Sequence, residues 1–149
     1  MARIVPHIVH DQLITGVTLG TSVRQAAEIM AARHIAAVVV LEGRTLAGIM
    51  TERDITVRVV ARGLDPRLAT VGEVMTPDPD TLSPDDSPET ALRMMQEHNY
   101  RHLPVKSVDG AVVGMVSVRD LYAFVQSELE NGIKARDTYI SGESYGVSA

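Results

Sequence analysis

The sequence predicts an α+β fold built from two tandem copies of one unit, in which a strand and a helix precede two further strands and a second helix. The first reason is an internal repeat, because sliding the chain by 65 positions superposes Ser22 on Ser87. After one inserted residue, Gly48–Ile55 falls on Gly114–Leu121. Helix caps and apolar runs also recur in the same order in both copies. A chain of 149 residues, 45% of them hydrophobic, can bury a core without disulfides.

The elements of the first copy follow from caps and apolar runs. Ser22 is a good helix N-cap, and Gln25 three residues later completes a capping box. The other elements are an extended segment, a hairpin of two largely buried strands and a second helix, predicted over Ile14–Leu19, Ala36–Leu41, Leu46–Met50 and Glu52–Ala61. Gly63 is the predicted stop of the second helix.

The second copy repeats this order. Ser87 caps its first helix, and Pro88 occupies the first helical position, where a missing N–H costs nothing. Its hairpin and second helix are predicted over Leu103–Val105, Ala111–Val116 and from Val118 to Leu129 or beyond. Prolines predict irregular structure over Thr76–Asp86. The copies are assigned to residues 1–63 and 64–128, with a linker at 64–76, and residues 129–149 are predicted to be a tail with a short ordered piece and a frayed end.

Composition and charge exclude several classes of function. The absence of cysteine rules out a disulfide framework, a thiolate metal site and a cysteine nucleophile, and it fits a reducing, cytoplasmic location. A net charge of −5, one Phe and no Trp argue against nucleic-acid binding. No apolar run reaches the length of a signal peptide or a membrane span. Because no Walker loop, nucleophile elbow or H-E-x-x-H motif occurs, we expect neither an enzyme nor a catalytic cofactor.

The strongest local signal is a doubled segment at the start of the second helix of each copy. It reads Thr51-x-x-Asp54 in the first copy and Ser117-x-x-Asp120 in the second. One interpretation is an ordinary helix cap, in which the hydroxyl accepts a backbone N–H and the carboxylate lies at the positive helix end. The other is a ribose site, because a carboxylate binds two neighbouring hydroxyls and a helix N-terminus attracts phosphate. Both interpretations can hold at once.

The chain resembles a pair of CBS domains over about Ile14 to Val125, on the segments GIMTERDI, GMVSVRDL and YRHLPV. It is similar to stand-alone bacterial CBS-pair proteins rather than to an enzyme that carries such a pair. The resemblance implies a Bateman module, in which two βαββα repeats are related by a pseudo-twofold axis. Between the repeats it implies two clefts for adenosine-containing ligands such as AMP, ATP, NAD or S-adenosylmethionine, and it implies a homodimer.

In the resembling family, each cleft takes its Thr/Ser-x-x-Asp from one repeat and its adenine wall and phosphate contacts from the other. The first cleft would therefore be formed by Thr51, Asp54, Asp78, Pro79, Asp80, Tyr100, Arg101 and His102. By this resemblance Asp54 holds the ribose hydroxyls, and Arg101 and His102 meet the phosphate. For His102, the alternative is a half-buried strand histidine without a role in ligand binding.

By the same resemblance, the second cleft would be formed by Leu13, Ile14, Thr15, Ile35, Ala36, Ala37, Ser117 and Asp120. Ala36-Ala37 stands where the second copy has Arg101-His102. This predicts weaker phosphate binding, a less charged adenosine ligand or an empty cleft. The first copy also lacks a clear counterpart of the segment Val74–Pro77.

The remaining charged residues have less specific interpretations. Arg53 and Arg119 precede the two aspartates and either reach a phosphate or, as we favour, form surface ion pairs. The aspartates of the segment 78–86 lack the spacing of a calcium loop, so we expect a solvated loop rather than a metal site. Asp78 or Asp80 can still face the cleft.

The resemblance and these residues predict a non-catalytic sensor in signal transduction or energy sensing. AMP or ATP would enter a cleft, tie the repeats together and change the geometry of the dimer or of an unidentified partner protein. The alternative is a module that dimerises and holds a partner without any ligand. Asp54 together with Arg101-His102 favours the sensor, because an interaction-only module has no use for a ribose clamp facing a phosphate seat.

Overall fold

The computed structural model describes residues 1–10 and 12–141, and side chains up to residue 132. In chain order, its strands and helices are β1 Gly16–Val17, α1 Val23–Arg33, β2 Ala37–Glu42, β3 Thr45–Thr51, α2 Glu52–Ile55, α3 Val71–Val74, β4 Thr76–Pro77, α4 Pro88–His98, β5 His102–Lys106, β6 Val112–Ser117 and α5 Val118–Ser141. A π-helical turn over Thr56–Val60 continues α2. The predicted α+β class and its duplicated unit are confirmed.

Both copies contain a small sheet with matching strand register. In the first sheet the order is β1-β2-β3-β4, with β1 parallel to β2 and the other pairs antiparallel. In the second, β5 and β6 form an antiparallel pair, and Leu82 makes a parallel bridge to Val105. This bridge matches the pairing of Val17 with Val40 between β1 and β2. The pairing therefore recurs at the spacing of the sequence repeat.

The helix ends repeat as well. Ser22 accepts the N–H of Gln25 at 3.1 Å, and the Gln25 side chain returns the capping box, as predicted. Ser87 accepts the N–H of Thr90 at 3.1 Å at the start of α4. Helices α1 and α4 both end in a left-handed residue, His34 with φ 55° and Asn99 with φ 59°. The sequence analysis did not identify these C-caps, because neither residue is glycine.

The core of each copy is completed by the segment that precedes the other copy. Val71 and Val74, from the linker between the copies, are buried in the first core together with Val23. Ile4 and Val9, at the amino end, are buried in the second core. A boundary at residue 63 therefore separates the two copies in sequence but not in packing. The segment before each copy packs in the core of the other copy. The predicted domain boundaries stay a prediction.

One expectation about the irregular segments is wrong, and another extends beyond the described residues. The expectation that prolines exclude regular structure from Thr76–Asp86 is wrong at β4, where Thr76 pairs with Ile49 and Pro77 with Gly48 of β3. Proline fits here because β4 is the edge strand of the sheet. Helix α5 continues through Ser141, and the frayed end expected beyond it lies outside the described residues. None of the helices described is both long and apolar enough to cross a membrane.

Candidate ligand-binding clefts

The residues predicted for the first cleft line one cleft of about 930 Å³. It contains all eight of them: Thr51, Asp54, Asp78, Pro79, Asp80, Tyr100, Arg101 and His102. The carboxyl end of β3, the amino end of β5 and the loop after β4 bring these residues together. The cleft is therefore built from both sequence copies.

The carboxylate of Asp54 is the most buried charged group of this cleft, with only 8% of the residue exposed. Its Oδ2 accepts the N–H of Thr51 at 2.9 Å, and Thr51 Oγ1 accepts the N–H of Asp54 at 3.2 Å. The capping interpretation of the motif is thus confirmed. Oδ1 has longer contacts, to Thr76 Oγ1 at 3.4 Å and to Arg58 Nε at 3.9 Å. This oxygen retains the capacity to accept ligand hydroxyls.

Arg58 connects this carboxylate to the linker between the copies. Its Nη1 donates to the carbonyl oxygens of Met75 at 2.7 Å and Val74 at 3.2 Å. These are the residues directly before β4, and the loop after β4 lines the cleft. Arg58 was not among the residues predicted from the sequence, because the matching position in the second copy is Phe124 and the repeat therefore gave no signal.

Three arginines line the first cleft: Arg53, Arg101 and Arg119. None of them takes part in any of the ion pairs found among the described side chains. The expectation that Arg53 and Arg119 form surface ion pairs is therefore wrong for the described part of the chain. The alternative, that they reach a ligand phosphate, agrees with their position but is untested.

His102 is half-buried at the start of β5. Burial of the ring lowers the pKa of His102 and the neighbouring Arg101 lowers it further, while Asp120 and Glu52 act in the opposite direction. The ring is therefore held toward its neutral form, which can both donate and accept one hydrogen bond.

An aromatic wall stands beside the acidic loop of the same cleft. The ring centroids of His98 and Tyr100 lie 5.3 Å apart in a stacked arrangement. The Tyr100 hydroxyl donates to Asp80 Oδ2 at 3.0 Å, and this hydrogen bond raises the pKa of Tyr100. Asp78 has φ 43°, so the loop turns through the left-handed region without a glycine. Among the described side chains, no cluster of three or more His, Asp or Glu is placed to hold a metal ion.

The residues predicted for the second cleft line another cleft, of about 830 Å³. It contains all eight of them: Leu13, Ile14, Thr15, Ile35, Ala36, Ala37, Ser117 and Asp120. Asp120 repeats the cap geometry, since its Oδ2 accepts the Ser117 N–H at 2.9 Å and its own N–H donates to Ser117 Oγ at 3.1 Å. Unlike Asp54, Asp120 is exposed.

Gln12 supplies the missing counterpart of β4 at the second cleft. Its side-chain amide donates to the carbonyl of Met115 at 3.2 Å and accepts the Met115 N–H at 2.6 Å, as a strand residue would. Gln12 occupies the position that matches Pro77 of β4 in the first sheet. The sequence analysis found no counterpart because a side chain replaces the backbone here.

The clefts adjoin, and five residues line both: Ala36, Glu52, His102, Ser117 and Arg119. Two of these, Glu52 and Arg119, carry full opposite charges. A charged group bound in one cleft therefore lies near side chains that also form the other.

Comparison with known proteins identifies the fold family. A model of the CBS domain matches residues 10–61 and 71–127. CBS domain-containing protein YhcV of Bacillus subtilis is 32% identical over 108 residues, which cover 72% of this chain and 76% of that protein. The meiotically up-regulated gene 70 protein of Schizosaccharomyces pombe is 36% identical over 110 residues, or 74% of this chain. The chain spans 15% of that protein and 18–19% of two CBS domain-containing proteins of Arabidopsis thaliana.

Solved structures show the same fold. A CBS-domain protein from Burkholderia ambifaria has a TM-score of 0.77 and 27% identity, over 99% of this chain and 100% of that one. A CBS domain protein from Pyrobaculum aerophilum, solved in complex with AMP, has a TM-score of 0.68 and 26% identity, over 73% of this chain and 83% of that one. Because the family model matches most of the chain in two separate segments, this chain belongs to the CBS domain family and contains a pair of CBS domains.

Proposed function

We propose that this CBS pair is a non-catalytic regulatory module that binds an adenosine nucleotide, AMP or ATP, in the first cleft. One observation carries the proposal: a single cleft joins the Asp54 carboxylate to three arginines that have no ion-pair partner among the described side chains. A carboxylate binds the hydroxyls of a ribose, and arginines bind a phosphate. The AMP complex of the Pyrobaculum aerophilum relative supports the choice of ligand.

Each group has a distinct role in this proposal. Asp54 Oδ1 accepts the ribose hydroxyls, because its present contacts are long, at 3.4 and 3.9 Å. The stacked pair of His98 and Tyr100 forms a flat aromatic wall on which adenine stacks. Arg101 and His102 donate to the phosphate. Ligand contacts therefore fall on both CBS domains.

Signalling follows from the distribution of the ligand contacts over both CBS domains. A ligand that contacts the first domain through Asp54 and the second through Arg101 stabilises the arrangement in which these residues are close. Binding shifts the population toward this arrangement and away from any in which the domains are further apart. A partner protein or a second copy of the module that distinguishes the two arrangements would respond. We place this activity in the cytoplasm, as the cysteine-free composition suggests.

The proposed assembly is a homodimer formed through exposed apolar helix faces. Val57 and Val60 are exposed in the turn that continues α2, and Tyr122, Val125 and Leu129 form a stripe on α5. Sedimentation equilibrium should show a dimer for the natural chain and a monomer for the double variant Val60→Glu, Val125→Glu. A natural chain that stays monomeric from about 1 μM to about 100 μM would contradict the dimer, because a dimer with a Kd within or below that range would be populated there.

Isothermal titration with AMP, ATP, NAD and S-adenosylmethionine tests ligand binding. We expect saturable AMP binding that Asp54→Ala weakens by about 10- to 150-fold, which corresponds to the loss of hydrogen bonds to a charged group. Asp120→Ala, the matched variant of the second cleft, should leave binding at the first cleft unchanged.

The competing function is an assembly module without a ligand. The exposed apolar stripe on α5 is the observation that favours it. If none of the four ligands gives heat or a thermal shift, this alternative replaces the sensor.

A further inference from the structure

The arginine and histidine side chains found at the second cleft are mostly shared with the first. Arg119 is the only arginine among the residues found to line the second cleft, and it also lines the first. His102 likewise lines both, which leaves only His34 to the second cleft alone. Arg33 is close by, but its Nη1 donates to Thr15 Oγ1 at 2.9 Å and the residue does not line the cleft.

The acidic groups are distributed differently. Glu52 lines both clefts, and Asp120 lines only the second. When Arg119 turns toward an anion in the first cleft, the other residues found to line the second cleft include two carboxylates and no arginine. The first cleft still has Arg53 and Arg101 when Arg119 turns away. Arg119 is therefore the one arginine found at the second cleft, whereas the first cleft has two others.

We propose that the two clefts share one anion seat, so that a nucleotide phosphate in the first cleft prevents a second nucleotide from binding well in the second. The proposal rests on nucleotide binding by the first cleft, as proposed above. The second cleft of the loaded module then prefers an adenosine compound without a phosphate. Because coupling between sites is reciprocal, a nucleotide forced into the second cleft weakens binding in the first by the same factor.

The decisive measurement compares the affinity of the second cleft for AMP in two states. In Asp54→Ala, where we expect AMP to bind the first cleft about 10- to 150-fold more weakly, that cleft is largely empty, and in the natural chain it is saturated with AMP. We expect AMP to bind the second cleft at least about tenfold more weakly in the saturated state, within the usual range of coupling between sites. Adenosine, which lacks the phosphate, should bind it equally well in both states, and Asp120→Ala should abolish that binding.

Two matched arginine variants test the role of the shared side chain. In Arg119→Gln, the AMP affinities of the second cleft in the two states should become equal, because neither state then offers the arginine. Arg53→Gln is the control, since Arg53 is the repeat counterpart of Arg119 and lines only the first cleft. It should weaken AMP binding in the first cleft and preserve the difference between the two states. Both arginines are exposed, so we expect both variants to fold.

The possible failures are distinguishable. Two AMP molecules bound with equal affinity to the natural chain would overturn the shared seat and leave the sensor function intact. The shared seat is overturned in the same way if the difference persists in Arg119→Gln, or if Asp54→Ala binds adenosine but no AMP. An absence of AMP binding by every form of the chain would refute both the sensor function and the shared seat.

Discussion

Replacing Arg58 tests whether this side chain links the candidate ribose carboxylate to the linker between the CBS domains. Arg58→Met keeps much of the aliphatic volume but removes the donors to the Val74 and Met75 carbonyls and the contact with Asp54. A hydrogen bond from a charged donor contributes about 1.5–3 kcal/mol. Because both bonds come from one nitrogen and the side chain is 40% exposed, we expect a loss of about 1–2 kcal/mol in unfolding free energy.

Thermal unfolding measures this loss directly. For a chain of this size, about 1 kcal/mol lowers Tm by roughly 2–4 °C, so Arg58→Met should unfold about 2–8 °C below the natural chain. Arg62→Met is the matched control, since Arg62 is exposed and makes no ion pair or hydrogen bond among those found in the described part of the chain. Its Tm should stay within about 1 °C, as for most surface changes.

A second readout separates positioning of Asp54 from mere stability. If Arg58 orients the carboxylate toward a ribose, Arg58→Met should reduce the ratio of the AMP and 2′-deoxy-AMP affinities. That ratio should be about 10 or more in the natural chain, because the deoxy ligand lacks one hydrogen bond to a charged acceptor. Arg58→Lys should restore part of the stability but not the ratio, since an ammonium lacks the planar fork. An unchanged affinity ratio in Arg58→Met would refute the positioning role. An unchanged Tm would refute the stabilising contact between Arg58 and the linker carbonyls.

Three further outcomes follow from single contacts. Gly48→Ala should destabilise the fold by about 1–3 kcal/mol in urea unfolding, because the added Cβ would lie 2.7 Å from the Thr76 carbonyl oxygen of β4. Gly20→Ala is the control, since the space around Gly20 is open. Gln12→Ala should cost about 1–2 kcal/mol by removing two hydrogen bonds to β6, and an unchanged midpoint would show that the pairing is not formed. Because burial lowers the pKa of His102, the unfolded chain binds more protons near its usual pKa, so stability should fall as pH drops below about 6.5. Urea unfolding at two pH values should show a smaller fall in His102→Gln, and an equal fall would contradict this origin.

Local chemistry explains which parts of the fold were predictable. Ser22 and Thr51 cap helices through residues three positions later in the chain, so these contacts do not depend on the rest of the fold and could be predicted from the local sequence. The internal repeat then doubled both signals, at Ser87 and Ser117. The composition of both clefts followed from the family resemblance, which supplies the pairing of one repeat with the other. The binding roles of these residues remain predictions.

Contacts between the copies account for what was missed. Arg58 reaches the backbone of residues 16 and 17 positions later, and Gln12 pairs with a strand 103 positions away. Arg58 matches Phe124 in the second copy, and Gln12 pairs through its side chain where the first sheet pairs through the backbone of β4, so the repeat could not indicate either contact. Whether Arg119 forms an ion pair also depends on which surfaces meet, and it forms none among the described side chains.

The loop that joins the CBS domains connects the candidate site to the packing of both. At its start, Arg58 holds the carbonyl of Met75, and β4 then closes the sheet of the first domain. A few residues later, Asp80 accepts the hydroxyl of Tyr100, which belongs to the second domain. A ligand that contacts the segment from Asp78 to Asp80 therefore acts on a segment whose start is anchored to the first domain and whose end is anchored to the second. Its binding cannot be confined to either domain, and this explains physically why a cleft in this position suits a regulatory module.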